Sequence, residues 1–403
     1  MLKYKQRMKI FRRKIITVAF GLLLGLLLIE ILIRGVEFLG ENKLFGLKPL
    51  RTTLIWIEDD QIGKFLLPPS SKGWFVSPTK EYYNFVHTNS AGFYDHEHQI
   101  NKQTNTYRIL FLGDSFTASL QTPFEETFFR KLEQRLNNQG FKKKIEIITI
   151  GLGDTGTAEQ YLALKTLGMK YNPDLVIQMF LTANDFKNNS AKLQNDPYRP
   201  YFSINSNGDL EEIPHLKRNH KKFYKIKEFF KKLRLIEFIL FTRQNLQEKI
   251  LNSSQDYPID YHIYDEYYNK NFSESVLVTE KLILYTRNLA EQQNSKYILT
   301  VLANNEQINN RVWNQIENTY PHVKNSKINL EKPDAIMRVI CQNNNLNCFY
   351  MLPYFKNFIQ SNKNTETHYF YDGHWNQTGT NLATDFLFEN LLIYLKNNEP
   401  NLY

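Results

Sequence analysis

Short apolar runs alternate with amphipathic stretches along much of this chain. Residues 107–112 (YRILFL) form an apolar run closing on Gly113, and 144–150, 174–181, 297–303 and 347–352 repeat the type. Runs this short, rich in Ile, Val and Phe, predict strands. Between them, 124–138 has helical spacing through Phe128, Leu132 and Leu136. Residues 157–171, 274–293, 331–344 and 377–396 predict further helices. Strands that alternate with helices imply βαβ units, hence a parallel sheet covered on both faces. The rhythm breaks over 185–270. That stretch is polar, carries a turn signal at Asn207-Gly208, and predicts a basic, aromatic helix at 221–242. It reads as an insertion at about 185–275 within a domain at 106–397. Residues 40–105, with Pro68-Pro69-Ser70-Ser71, are expected to be an irregular extension ahead of that domain.

The N-terminus has a different pattern. Residues 15–29 carry no charge, and with Ile31, Leu32 and Ile33 the apolar stretch reaches about 19 residues, enough for a helix to cross the hydrocarbon. It ends in Glu30-Ile31-Leu32-Ile33-Arg34 with no small-residue cleavage triplet, which favours an uncleaved anchor over a signal peptide. Residues 1–14 hold seven Lys and Arg and no acid. That places the N-terminus in the cytoplasm and the rest of the chain outside.

Charge gains a meaning from this. The net +9 could suggest a nucleic-acid partner. Without the seven cations of the arm, 43 basic residues face 41 acidic ones. No domain-wide basic field remains, so no nucleic-acid partner is expected. With 17 Gly and 14 Pro in 403 residues, collagen-like and linker-rich designs are excluded. An oxidising compartment would permit a bridge between Cys341 and Cys348, but spacing alone leaves free thiols equally open.

Ligands of parallel sheets bind beyond the carboxyl ends of the strands. The first strand ends in Gly113-Asp114-Ser115-Phe116-Thr117, which can expose a hydroxyl or simply cap the next helix. The second ends in Gly151-Leu-Gly153-Asp-Thr-Gly156, a literal G-x-G-x-x-G. As a dinucleotide fingerprint it lacks an acid at the end of the following strand. The third ends in Ala183-Asn184-Asp185, where an Asn amide can donate to an oxyanion. Before the last helix stands Asp372-Gly373-His374-Trp375-Asn376, a base with an acid two residues away. His96-Glu97-His98 could ligate a metal, but a solvated loop is the expected reading, and no metal or cofactor is expected.

Taken together, these segments resemble the SGNH, or GDSL-type, hydrolases of bacteria. GDSFT at 113–117 is similar to the family's Ser motif, Gly153 to its Gly, Asn184 to its Asn, and Asp372 with His374 to its closing pair. Residues 88–93 and 172–176 are similar to segments of its membrane-anchored members. The resemblance implies a three-layer α/β/α fold with a mostly parallel five-stranded sheet. It implies Ser115 as nucleophile, His374 as base and Asp372 as its orienting carboxylate. The oxyanion donors would be Ser115 N, Gly153 N and the Asn184 amide. The two-residue Asp–His spacing is shorter than in better-known members, and Gly151 and Gly156 compete with Gly153. The expected activity is ester hydrolysis outside the cytoplasm, on an ester substrate such as an acylated glycan or lipid. O-acyl transfer to a surface polysaccharide, a non-catalytic envelope scaffold and a nucleotide-binding protein are the rival readings.

Overall fold

The computed structural model describes residues 2–213, 233 and 257–402. The helix predicted at 221–242 lies outside the described residues. The N-terminal helix, Leu2–Glu41, belongs to a unit of its own. Within it, Ile10–Glu41 is long and apolar enough to cross a membrane. Its apolar side chains are exposed, as a lipid-facing helix requires. Near the end of the apolar stretch, Arg34 Nε donates to Glu30 Oε1 at 2.8 Å, so the two charges one turn apart are paired.

The second unit carries the sheet. Residues 51–105, expected to be irregular, hold two small antiparallel hairpins. One pairs β1 (Ile57–Asp59) with β2 (Lys64–Leu66), the other β3 (Lys72–Val76) with β4 (Tyr83–His87). Strands of three to five residues give too little periodicity to read against a turn-rich background. The α/β rhythm then follows the sequence closely. β5 (Thr106–Gly113), β6 (Lys144–Gly151) and β7 (Leu175–Leu181) come first. A hairpin of β8 (Tyr201–Ile204) and β9 (Leu210–Ile213) turns at Asn207-Gly208, where Gly208 has φ 82°, a conformation glycine adopts at no steric cost. β10 (Lys296–Leu302) and β11 (Cys348–Tyr350) complete the sheet.

The sheet order is β11-β10-β7-β5-β6, and every pairing is parallel. All residues of β5 and β7 are buried, as expected for central strands covered on both faces. Alternate side chains feed two cores. Ile109 and Phe111 pack with Leu132 and Leu136 of the helix Phe128–Asn137 and with Leu387 and Leu391 of the helix Gln377–Asn398. Leu110 and Leu112 pack with Ala163 of Thr157–Thr166, Ile283 of Lys270–Gln292 and Met337 of Lys332–Asn343. The result is three layers, α/β/α.

Several boundaries differ from the sequence reading: the helix expected from 124 begins at Phe128, after a 3-10 turn at Phe124–Glu126. The helix expected through 171 stops at Thr166 and tightens into a 3-10 turn at Gly168–Tyr171. At Gly168 a Cβ would come within 2.9 Å of Leu164 Cδ1, so a larger residue would have to push that side chain aside. The strand expected over 347–352 covers only Cys348–Tyr350, and a helix, Met351–Ser361, follows at once. A single apolar run here spans both elements, which periodicity alone cannot divide. Cys341 and Cys348 form a disulfide, their Cα atoms 6.4 Å apart. It ties the end of the helix Lys332–Asn343 to the edge strand.

Candidate active site

The chain starts the sheet at β5, adds β6 on one side, and then crosses to place β7 on the other. The order reverses at β5, so the carboxyl ends of β5, β6 and β7 surround one crevice, the place where such sheets bind ligands. Ser115 follows β5 directly. Asp114 is its N-cap, accepting from Phe116 N at 2.9 Å. A short helix, Ser115–Ala118, then begins, and it fits only because β6 ends in glycine. A Cβ on Gly151 would lie 2.1 Å from Ala118 N.

His374 comes from the loop before the last helix, 259 residues away in sequence. Its Nε2 is 2.7 Å from Ser115 Oγ. Its Nδ1 is 2.6 Å from Asp372 Oδ1. Gly373 between the two has φ 84°, and this left-handed turn brings the side chains two residues apart onto each other. The short spacing is therefore compatible with a carboxylate–imidazole–hydroxyl relay. Burial works against the charge of Asp372, yet its hydrogen bonds with His374 and Tyr82 hold its carboxyl below the usual range.

The candidate oxyanion donors also face the crevice. Asn184 follows β7, and its Nδ2 donates to Asp114 Oδ2 at 3.0 Å. An amide nitrogen carries two hydrogens, so one remains for a ligand. Gly153, after β6, lines the same recess as Ser115 and His374. Among the described residues, neither Ser115 N–H nor Gly153 N–H has an acceptor. Asp114 is fully buried, which pushes its carboxyl up to about 6, although Phe116 N and Asn184 both donate to it. Thus Asp114 is more than a cap: it also fixes the Asn184 amide.

Two residues escaped the sequence reading. Tyr82, on the turn into β4, donates from its hydroxyl to Asp372 Oδ2 at 3.0 Å. Burial first, then Asp372, pushes its phenol well above the usual range, so it remains a donor. Glu81 accepts from Tyr371 N at 3.1 Å and Asp372 N at 3.0 Å, which pins the backbone of the His374 loop. No local signal marks either residue, because the partners are about 290 positions apart.

The chain resembles esterases and acylhydrolases of known structure. An acetyl xylan esterase, AlAXEase, aligns at 14% identity over 70% of this chain and 99% of its own, with a TM-score of 0.38. A lipase/acylhydrolase from Enterococcus faecalis aligns at 12% over 71% and 95%, TM-score 0.36. A lipolytic protein of the G-D-S-L family from Desulfitobacterium hafniense DCB-2 aligns at 11% over 70% and 98%, TM-score 0.35. No protein-family profile matches the chain. No curated protein sequence matches it either.

The helix end that follows the glycine-rich segment does not offer a pyrophosphate site. The first turn of the helix Thr157–Thr166 is occupied by the chain's own acid: Glu159 Oε2 accepts from Gly156 N at 2.9 Å, and Glu159 also pairs with Arg199 at 2.7 Å. A dinucleotide pyrophosphate would need that helix end free. The histidines at 96 and 98 are less solvated than the sequence suggests. With Asp95 they bring ligand atoms within 4.8 Å of one another. Their nitrogens are already engaged. His98 Nδ1 is 2.8 Å from Glu146 Oε1, and its Nε2 is 3.1 Å from Asp95 Oδ2. Arg130 brings a fixed positive charge to 3.1 Å from His96 Nδ1, which disfavours a cation there.

Proposed function

We propose that this chain is a serine ester hydrolase held in the membrane by its N-terminal helix, with the sheet domain outside the cytoplasm. The observation that carries the reading is the run Asp372–His374–Ser115, 2.6 and 2.7 Å between partners, at the switch point of the sheet. Serine is a weak nucleophile until a base takes its proton. His374 Nε2 accepts the proton of Ser115 Oγ as Oγ attacks the ester carbonyl. Asp372 keeps the imidazole in the useful tautomer and stabilises its cation. Ser115 N–H, Gly153 N–H and the free hydrogen of Asn184 Nδ2 meet the oxyanion. The alcohol leaves with the proton carried by His374, and water then releases the acid from Ser115 by the same steps in reverse order. Donors of this kind are each worth about 10²–10³ in rate.

A second reading differs only in what attacks the acyl-Ser: a sugar hydroxyl in place of water. It is favoured by an open cleft of about 430 Å³ beside Ser115, with Asn305, Glu306, Gln315 and Thr319 on its walls. The anchored topology draws support from the seven cations before the apolar helix, and the Cys341–Cys348 bridge supports an oxidising compartment.

The test is turnover of acetyl esters and acetylated glycans by the full chain in detergent. Ser115→Ala and His374→Ala should each lower kcat by at least about 10³ with an unchanged melting temperature. Near-wild-type hydrolysis by Ser115→Ala would refute the assignment. Transfer of label to an added oligosaccharide would select the second reading.

A further inference from the structure

Two recesses open onto the Ser115–His374 pair, and their chemistry differs. The open cleft described above is one, and its walls mix amides and hydroxyls with Leu181, Val312, Ile316 and Phe370. The other, of about 120 Å³, is walled by Trp56, Leu66, Leu67, Phe75, Leu120 and Leu152. It also meets the backbone at Gly151 and Gly153; of the proposed oxyanion donors, Gly153 lines this recess, Asn184 the open cleft and Ser115 both. Four of the six wall residues belong to the extension ahead of the sheet, two of them on its small hairpins: Leu66 on β2 and Phe75 on β3. Tyr94, Gln121 and Thr149 also line this wall: the Thr149 hydroxyl is committed to Asp95 Oδ2 at 3.0 Å and the Tyr94 hydroxyl to Thr122 O at 3.2 Å, while Gln121 adds one amide.

An ester has two ends, and the reaction treats them differently. The acyl group stays bonded to Ser115 through the intermediate, while the alcohol departs and water or another alcohol arrives. The larger, open cleft suits the group that exchanges. Its amides and hydroxyls can replace the water lost from a hydroxylated alcohol. The mainly carbon-walled recess, with Gln121 as its amide, suits such a group less, because a hydroxyl left unpaired there is costly. It does favour methylenes, which gain by leaving water. Size sets a limit. An apolar cavity of about 150 Å³ holds benzene, so one of about 120 Å³ holds on the order of two to five carbons.

We propose that the recess walled by the N-terminal extension is the acyl pocket, and that it selects short acyl chains of about two to five carbons. The proposal rests on Ser115 being the nucleophile. It gives the extension a role in specificity that the sheet domain alone would lack.

The experiment compares kcat/KM for p-nitrophenyl acetate, butyrate and octanoate, using the full chain in detergent. Acetate and butyrate should exceed octanoate by at least about tenfold. Trp56→Ala removes a partly exposed outer wall and should raise octanoate relative to acetate by about tenfold. Leu120→Phe narrows the recess and should lower butyrate relative to acetate by a similar factor. Each ratio is measured within one protein sample, so it does not depend on how much of a variant folds. A wild-type profile that is flat or rises to octanoate overturns the pocket assignment, as do variants with unchanged ratios. The hydrolase reading then still stands, provided Ser115→Ala abolishes the turnover. No turnover of any ester, with no labelling of Ser115 by a fluorophosphonate probe, overturns both.

Discussion

At the scale of single residues, the candidate site depends on groups that hold other groups in place. Asp372 touches His374 with one oxygen and Tyr82 with the other. The Tyr82 hydroxyl helps keep Asp372 ionised, since a hydrogen bond to the charged form lowers a carboxyl's pKa. Tyr82→Phe should therefore raise that pKa and leave Asp372 less ionised in mild acid. We expect kcat/KM to fall about tenfold at neutral pH, in line with the loss of one hydrogen bond to a charged group. We also expect the acid limb of its pH profile to move to higher pH. A simple loss of stability would lower the whole profile without moving that limb. Asp114 and Asn184 form a second such pair. GDS and AND were visible as motifs, but their contact joins residues 70 positions apart.

Elements succeed or fail here by how closely they approach. β6 must end in glycine because the helix Ser115–Ala118 lies directly against it, and Gly151→Ala would put a Cβ 2.1 Å from Ala118 N. Relief requires the backbone to shift, and we expect a cost of about 2–3 kcal/mol, read as a lower melting temperature. Ser115 moves with its helix, so kcat should fall at least about tenfold. The residues before the sheet are fastened to it by another close set of groups. Asp95 accepts from Thr149 of β6 through both N and Oγ1, and His98 lies between Asp95 and Glu146. Burial opposes the charge of His98, yet the two carboxylates outweigh it and raise the imidazole to about 9. A raised pKa stabilises the fold in the protonated form. That contribution is complete below about 6.5, the unperturbed value, and is lost as pH rises through about 9. Thermal melts should show a stability loss over this window in the native chain. In His98→Gln the loss should be absent and stability at pH 6.5 lower. A melting temperature with the same pH slope in both proteins would remove His98 from this role.

For the whole molecule, the decisive partition is between the apolar helix and the sheet unit. If the N-terminal helix spans the membrane with its basic arm inside, alkaline carbonate should leave the chain in the membrane fraction. Protease added to intact spheroplasts should then digest the sheet unit and spare the arm. Release of a shortened soluble chain would instead mean cleavage after the apolar run. The length of that run and the charge before it are one-dimensional properties, so both could be read directly. The same holds for the five sheet strands and their helices, because a buried parallel strand needs an unbroken apolar run and an amphipathic helix needs its period. The exceptions include the small hairpins at Ile57–Leu66 and Lys72–His87, the helix at Met351–Ser361 and the helices Asn310–Thr319 and Pro321–Asn325, for which the sequence reading had no element. The hairpins are too short and Met351–Ser361 too continuous with its strand for a period to appear, while Asn310–Thr319 buries only Ile316 and so carries few apolar residues to mark its face.

The sequence by itself determined the alternation of elements, the apolar N-terminal run and its charge asymmetry, and the candidate residues at the strand ends. Local periodicity, charge and capping encode these, and each needs only neighbouring residues. The tertiary structure decided which candidates meet. It placed His374 against Ser115, gave Asp372 its contact through the turn at Gly373, and gave the G-x-G-x-x-G segment to close packing with its helix end already filled by Glu159. It also supplied Tyr82 and Glu81 from the extension that looked irregular, and the small apolar recess that the extension forms together with Leu120 and Leu152. Contacts between residues hundreds of positions apart follow from strand order and chain crossing, which no local pattern encodes.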